Sequence, residues 1–115
     1  MKKERSHQDY LTDMLDAMSK ARQFVAGMSF EQFSTDDKTV YAVIRALEIV
    51  GEATKKIPPE VRALRPNIPW REIAGMRDKL THDYFGVNVS VIWKTVGEDL
   101  PSLEEGIRSL LDEHS

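Results

Sequence analysis

Apolar residues recur at steps of three and four along most of this sequence, and no segment alternates apolar and polar residues. A helix turns once in about 3.6 residues, so this spacing gathers apolar side chains on one helical face, whereas a strand needs a step of two. Four stretches carry the pattern: 7–26, 37–57, 70–81, and one that begins near Asn88 or Ser90 and extends to Leu110. The sequence therefore predicts an all-α fold, an antiparallel bundle of four main helices joined by short helical turns.

Residues that cap or interrupt helices mark the ends of these stretches. Gly27 is expected to stop the first helix, and Ser29 with Gln32 three residues later is expected to form a capping box for a short turn. The pair Pro58-Pro59 should end the second helix, because proline lacks the N–H that an interior position needs. Pro101 is predicted to kink the last helix or to break it after Asp99.

The second helix has an unusually wide apolar surface. Ile44 and Ile49 lie beside its main stripe, which runs from Val40 to Ile57. Such width predicts contact with more than one neighbour, and a second subunit is one candidate for that neighbour.

Composition narrows the class of protein. A chain of 115 residues with 41% hydrophobic and 30% charged residues is typical of one soluble globular domain. The absence of cysteine excludes disulfides, a thiol nucleophile and a thiolate metal site. The net charge of −3 argues against a broad basic face that coats nucleic acid, but it leaves room for a small site that handles one or two phosphates.

No long apolar run follows the polar residues at the start of the sequence, so we expect neither a signal peptide nor a membrane span. The expected location is the cytoplasm. The three histidines are too scattered along the chain to predict a metal site.

The signature segment, defined here as residues 77–86, contains Arg77, His82 and Tyr84 at the end of the third predicted helix. Arginine is a permanent cation whose planar donors fit phosphate oxygens. Histidine can accept and donate a proton near neutral pH, and the tyrosine hydroxyl can donate, accept or be modified. The spacing Arg-x4-His-x-Tyr is therefore the candidate functional site.

Structural roles could also account for these residues. Cations near the end of a helix complement its dipole, which explains Arg77 and His82 without any chemistry. Arg77 also shares a stripe with Ile73, so it should face inward or toward an interface, where function or an ion pair with Glu52 or Asp83 would satisfy it. Five residues rotate about 140° on a helix. Arg77 and His82 can then converge only if the helix unwinds near Thr81 or if two copies meet at a two-fold axis.

Other conspicuous residues have plain structural interpretations as well. Tyr84 is either a half-buried packing residue or one that exposes its hydroxyl beside Arg77. Glu52 has the spacing of an ordinary surface pair with Lys56. Trp70 and Trp93 are expected to be core or interface aromatics, and the methionines of the first helix are expected to lie in the core.

The Arg-x4-His-x-Tyr spacing resembles the signature of the HepT-like group of HEPN-domain proteins. Three further features resemble that family: Gly51-Glu52-Ala53 in the second helix, Ile68-Pro69-Trp70 before the signature segment, and Trp93 after it. The similarity covers residues 7–112, and the signature segment shows no departure from the family pattern. The resemblance implies a single HEPN-like domain over residues 1–115, with a flexible N-terminus at 1–6, that forms a homodimer.

The family's function supplies the remaining expectations. The resemblance implies the toxin of a type VII HepT/MNT toxin–antitoxin module, a metal-independent endoribonuclease in which His82 is the acid/base group and Arg77 stabilises charge. Glu52 and Asp83 are assigned supporting positions at the site. Tyr84 is the implied acceptor of AMP from the partner nucleotidyltransferase, MNT, which uses ATP as donor and thereby silences the toxin. The ribonuclease itself needs no cofactor.

Two rival interpretations remain open at this point. The chain could be a helical accessory subunit that scaffolds a nucleotidyltransferase or binds a nucleotide without cleaving RNA. It could also be a bundle in which an Arg77–Asp83 pair is merely structural. A gene for a small nucleotidyltransferase beside this one would be the simplest observation to discriminate between these interpretations.

Overall fold

The computed structural model describes residues 5–82 and 88–113, except for the side chains of residues 77–82. In these ranges the chain forms helices and no strand, which confirms the all-α prediction. None of the described helices is both long enough and apolar enough to cross a membrane. The elements are α1 (His7–Val25), α2 (Phe30–Ser34), α3 (Asp37–Lys55), α4 (Pro59–Arg62), α5 (Trp70–His82), α6 (Val89–Lys94), a π-helical segment (Thr95–Asp99) and α7 (Leu100–Glu113).

The predicted stops and caps are present. Gly27, just past the end of α1, has a φ of 78°, which glycine adopts without strain. The backbone N–H of Gln32 donates to Ser29 Oγ, and the backbone N–H of Ser29 donates to the Gln32 side chain, so α2 begins with a capping box. Asp36 caps α3 by accepting from the backbone N–H of Thr39 at 3.1 Å.

Two helix boundaries differ from the prediction. The second long helix ends at Lys55 rather than at residue 57, and Pro59 is the first residue of α4, where its missing N–H has no consequence. The last helix does not break at Pro101. Instead, the Leu100 N–H donates to the carbonyl of Thr95, five residues back, in a π-helical segment that leads directly into α7.

Helix α3 packs against α1 on one side and α5 on the other, and α2 also contacts it. Ile44 is buried in the core of the chain, and Ile49 is partly buried against it. Two neighbours within the chain therefore account for much of the width of the apolar surface on α3. The largest fully buried side chains of the core are Leu11, Met14, Met18, Phe33, Leu47, Ile73, Leu100, Ile107 and Leu110.

The bundle has two ends that the connections define. At the α4 end, α5 starts beside the last turn of α3, because the Arg62 guanidinium donates to the carbonyls of Thr54 and Ile57 and the Trp70 indole N–H donates to the carbonyl of Arg62. The C-terminal part of α7 reaches the same end, where Arg65 pairs with Glu113. The opposite end is the α2 end, where α5 finishes at His82 and α6 begins at Val89.

Candidate functional site

The backbone of the signature segment is helical as far as His82. The prediction required either unwinding near Thr81 or a second copy to bring Arg77 and His82 together, and α5 does not unwind before His82. The backbone positions 77 and 82 are therefore about 140° apart around the helix and about 7.5 Å apart along its axis. The backbone is thus helical through Thr81, and the meeting of two copies at a two-fold axis stays a prediction.

The reactive groups of the signature segment lie outside the described part of the structure. This applies to the side chains of Arg77 and His82 and to the whole of Asp83 and Tyr84. Their assignment as acid/base group, charge stabiliser, support and AMP acceptor stays a prediction. The backbone of α5 itself finishes at His82, at the α2 end of the bundle.

Glu52 lies on the outer face of α3, turned away from the centre of the buried stripe. With four neighbouring residues it lines a cavity of about 440 Å³, and Tyr10 and Asp13 of α1 and Arg5, just before α1, line the other side. Arg5 donates to Asp13 across 2.8 Å, and this hydrogen bond raises the pKa of the guanidinium. Glu52 thus belongs to a surface cavity of mixed charge between α1 and α3.

The position of Glu52 along the bundle bears on its predicted role. Because α5 starts level with the last turn of α3 and runs antiparallel to it, His82 lies roughly 13 Å further along the bundle axis than Glu52. Arg77 lies only roughly 6 Å further along. Glu52 lines the cavity between α1 and α3, and its support of Arg77 at the site stays a prediction.

Trp70 and Trp93 differ in the role that packing gives them. Trp70 is buried at the start of α5, and its indole N–H donates to the carbonyls of Arg62 and Arg65 at 3.1 and 3.0 Å. Trp93 is only partly buried and contacts the rings of Phe30 and Phe33. Both match the prediction of core or interface aromatics. The predicted core role of the α1 methionines is confirmed for Met14 and Met18, which are fully buried.

Four residues with a part in the structure belong to none of the motifs in the sequence: Arg22, Phe30, Arg62 and Glu104. Arg22 of α1 donates a hydrogen bond to the Glu104 carboxylate of α7 at 2.9 Å. Glu104 is buried, with only 5% of its surface exposed. Its Oε1 atom has no hydrogen-bond partner in the described structure. A glutamate on the apolar stripe of the last helix, four residues after Leu100, was a signal for this buried charge.

The metal-ligating residue types do not gather in the described ranges. No group of three or more His, Asp or Glu side chains there has the geometry to hold a metal ion.

Comparison with known proteins identifies the family. The family model described as "Ribonuclease HepT-like" matches residues 14–110, a range that contains the whole signature segment. No solved structure shows a significant match.

Several curated relatives align over nearly the full length of both chains. A Thermococcus cleftensis protein named "Probable ribonuclease HepT" is 58% identical over 100 residues, which cover 87% of this chain and 91% of the relative. A Caldanaerobacter subterraneus protein named as a candidate RNase is 45% identical, with 89% and 91% covered. A similarly named Methanocaldococcus jannaschii protein is 40% identical, with 89% and 84% covered. The chain therefore belongs to the HepT-like ribonuclease family.

Proposed function

We propose that this chain is the toxin of a type VII HepT/MNT module and that it cleaves RNA as a metal-independent endoribonuclease. The observation that carries the proposal is a complete Arg-x4-His-x-Tyr spacing at the end of α5, inside the stretch that matches the ribonuclease family. The names of the relatives support the same activity. The default location of such a protein is the cytoplasm.

The proposed reaction is a transfer within RNA. The ribose 2′-oxygen attacks the adjacent phosphorus, the bond to the 5′-oxygen breaks, and a 2′,3′-cyclic phosphate and a 5′-hydroxyl result. A base must take the 2′-hydroxyl proton, an acid must protonate the leaving oxygen, and a cation must stabilise the charge that develops on the phosphate. His82 is the proposed acid/base group and Arg77 the proposed cation, with support from Glu52 and Asp83.

A two-fold dimer gives this chemistry what one chain lacks. One histidine cannot act as base and as acid in the same step, and α5 holds Arg77 and His82 on different faces. Two signature segments near a two-fold axis would supply two histidines, one for each proton, and an arginine from either chain. We expect sedimentation or light scattering at micromolar concentration to give a dimer, and a 13.2 kDa monomer would count against the shared site.

Regulation would act through Tyr84. The partner nucleotidyltransferase would join the Tyr84 oxygen to the α-phosphorus of ATP, with loss of the hydroxyl proton and release of pyrophosphate. The attached AMP carries a phosphate anion close to Arg77 in sequence, and arginine pairs strongly with phosphate oxygens. Modified protein should therefore bind RNA weakly, because AMP and RNA would compete for the same cation.

The catalytic test uses purified protein, RNA and a chelator. Wild type should cleave RNA, while His82→Ala and Arg77→Ala should each lose most of that activity at unchanged helical content and melting temperature. The matched controls are His7→Ala on α1 and Arg71→Ala, which removes an exposed arginine from α5 itself. If His82→Ala cuts as well as His7→Ala, the acid/base assignment is wrong.

The modification test uses the neighbouring nucleotidyltransferase and ATP. Intact mass should rise in AMP units for wild type and for Tyr41→Phe, which removes a tyrosine that is 53% exposed, and should stay unchanged for Tyr84→Phe. AMP on another residue would remove Tyr84 from the switch.

The rival function is that of a non-catalytic accessory subunit of the nucleotidyltransferase. The helical backbone of α5 favours it, because positions 77 and 82 are about 140° apart around such a helix. The rival would be established if well-folded wild type binds the nucleotidyltransferase but cuts no RNA, whether the wild type is a dimer or a monomer.

A further inference from the structure

Three aromatic rings meet at the α2 end of the bundle. Phe33 of α2 is fully buried and lies 5.3 Å, centroid to centroid, from Trp93 of α6. Phe30, at the first position of α2, lies 6.0 Å from Trp93 with its ring plane at 66° to the indole. Phe30 remains 41% exposed even so, and Trp93 is only partly buried. Phe33 thus anchors the cluster while Phe30 and Trp93 keep part of their surfaces on the outside.

The position of this ring cluster relative to α5 is fixed by the chain. Helix α6 begins at Val89 with Asn88 as its cap, only a few residues after α5 ends at His82. Helix α2 packs against α6 and directly precedes α3. The exposed rings therefore stand at the end of the bundle to which α5 carries the signature segment, and not at the α4 end.

Charge at this end is mixed. Lys94 follows Trp93, Lys38 lies in the first turn of α3, and both are exposed. Glu31 and Asp37 are exposed neighbours of opposite sign. With a net charge of −3 for the chain, broad attraction for a phosphate backbone is small, so an interaction that does not depend on net charge would add to the local phosphate contacts. Aromatic faces supply one, because every nucleobase can stack on them and stacking does not depend on net charge.

We propose that Phe30 and Trp93 form a stacking site for a nucleobase of single-stranded RNA, at the end of the bundle where α5 finishes. A base would lie against the exposed surface of Phe30, and the phosphates on either side would lie toward Lys94 and Lys38. This inference rests on the proposed ribonuclease function and adds the way in which the substrate is held. It also gives the site a preference for bases that stack well, so purines should bind more tightly than pyrimidines.

The test compares two phenylalanines of equal exposure. Phe30→Leu keeps an apolar side chain against Trp93 but removes the aromatic face, and Phe24→Leu makes the same change on α1, where Phe24 is 42% exposed and borders a cavity between α1 and α3. Binding is measured by fluorescence anisotropy with short 2′-fluoro oligo(A) and oligo(U), which lack the attacking hydroxyl and cannot be cut. Melting temperatures show that both variants fold.

Phe30→Leu should weaken oligo(A) binding about tenfold, the scale of one base–aromatic stack, and Phe24→Leu should change it by less than twofold. Wild type and Phe24→Leu should prefer oligo(A) over oligo(U), and Phe30→Leu should lose that preference. In a Trp70→Phe background, where Trp93 is the remaining tryptophan, oligo(A) should quench the fluorescence.

The site is overturned if Phe30→Leu binds both strands as Phe24→Leu does, or if it weakens both strands equally. It is also overturned if Phe30→Leu keeps its affinity for RNA but slows AMP transfer by the nucleotidyltransferase, because the rings would then contact a protein. Cleavage of unmodified RNA by the same proteins separates the two proposals. If wild type cuts RNA and Phe30→Leu binds RNA with full affinity, only the stacking site is wrong. If wild type binds RNA with the predicted base preference but never cuts it, only the proposed ribonuclease activity is wrong.

Discussion

At the α4 end of the bundle, directional hydrogen bonds join the chain segments, whereas at the α2 end aromatic rings do so. Arg62 and Trp70 donate to four backbone carbonyls between positions 54 and 65, and Arg65 extends the network to Ser109 and Glu113 of α7. The α2 end has no comparable network among the described residues; Phe30, Phe33 and Trp93 meet there through ring contacts. We therefore expect substitutions in the hydrogen-bond network of the α4 end to act mainly on stability, and substitution of the exposed Phe30 at the α2 end to act mainly on the proposed RNA binding.

The largest effect on stability is expected from Arg62→Ala. Its guanidinium makes two hydrogen bonds to backbone carbonyls, at 2.8 and 3.0 Å, and both carbonyls would lose a charged donor. The expected loss is about 3 kcal/mol in the free energy of unfolding, from about 1.5 kcal/mol for each charge-assisted bond. Urea denaturation measures it, with Arg71→Ala as the exposed control. If the cleavage rate below the melting transition fell as far as in His82→Ala, the separation of roles between the two ends would be wrong.

A smaller effect is expected from the ion pair between α1 and α7. Arg22→Ala leaves the Glu104 carboxylate buried without its partner, at a cost of about 2 kcal/mol, since Arg22 itself is half exposed and water weakens the pair. The double variant Arg22→Ala/Glu104→Leu removes the buried charge as well and should recover most of that loss. Thermal unfolding of the single and the double variant measures how much stability is lost and how much is recovered. A double variant less stable than Arg22→Ala would show that Glu104 has a further partner.

Trp70→Phe tests the hydrogen-bond network without emptying the core. It removes the indole N–H and keeps most of the ring, so about 1 kcal/mol should be lost. Stability should fall while RNA affinity stays unchanged, the reverse of what Phe30→Leu should give. Equal effects of both variants on both quantities would remove the distinction between the ends.

The smallest expected effect is the dependence of stability on acidic pH through Asp36. Hydrogen bonds from the Thr39 hydroxyl and N–H hold the pKa of the Asp36 carboxyl below its ordinary 3.8. A depressed folded-state pKa stabilises the protein above the unfolded value, and this contribution disappears as the pH falls through the folded value. Asp36→Asn keeps the capping oxygen without the charge. It should be less stable than wild type at neutral pH, and the gap should close below about pH 3.8. Asp37→Asn serves as control, since it removes the same charge one residue later and leaves the Asp36–Thr39 bonds in place.

Local signals made most of the fold predictable. The spacing of apolar residues gave the four helices, and Gly27, Ser29 and Gln32 marked ends that the structure confirms. Contacts between distant segments left no such signal. Arg22 and Glu104 pair although 82 residues separate them, and the width of the α3 surface did not reveal that Ile44 is buried within its own chain.

The candidate site was predictable in its residue types and not in its geometry. Arg77, His82 and Tyr84 stand out by spacing, but a pattern of residues says nothing about which helix face or which chain brings them together. Phe30 gave no signal at all, because an aromatic residue at the start of a short helix is as compatible with the core as with the surface. Its ring partner Trp93 lies sixty-three residues later in the sequence, so no local pattern indicates the contact.

The π-helical segment has a consequence for changes in chain length. The buried positions Ile92, Val96, Leu100 and Glu104 are each four residues apart. On an ordinary α-helix a step of four residues turns about 40° beyond a full circle, so three such steps would turn Glu104 about 120° away from Ile92. The wider turn at Thr95–Asp99 takes up this drift, as if one residue had been inserted there. Deleting Gly97 should therefore return the segment to α-helical winding with both flanking faces in phase, and the chain should tolerate this better than a deletion within α7. The remaining cost would come from Pro101, whose ring would meet a carbonyl four residues back.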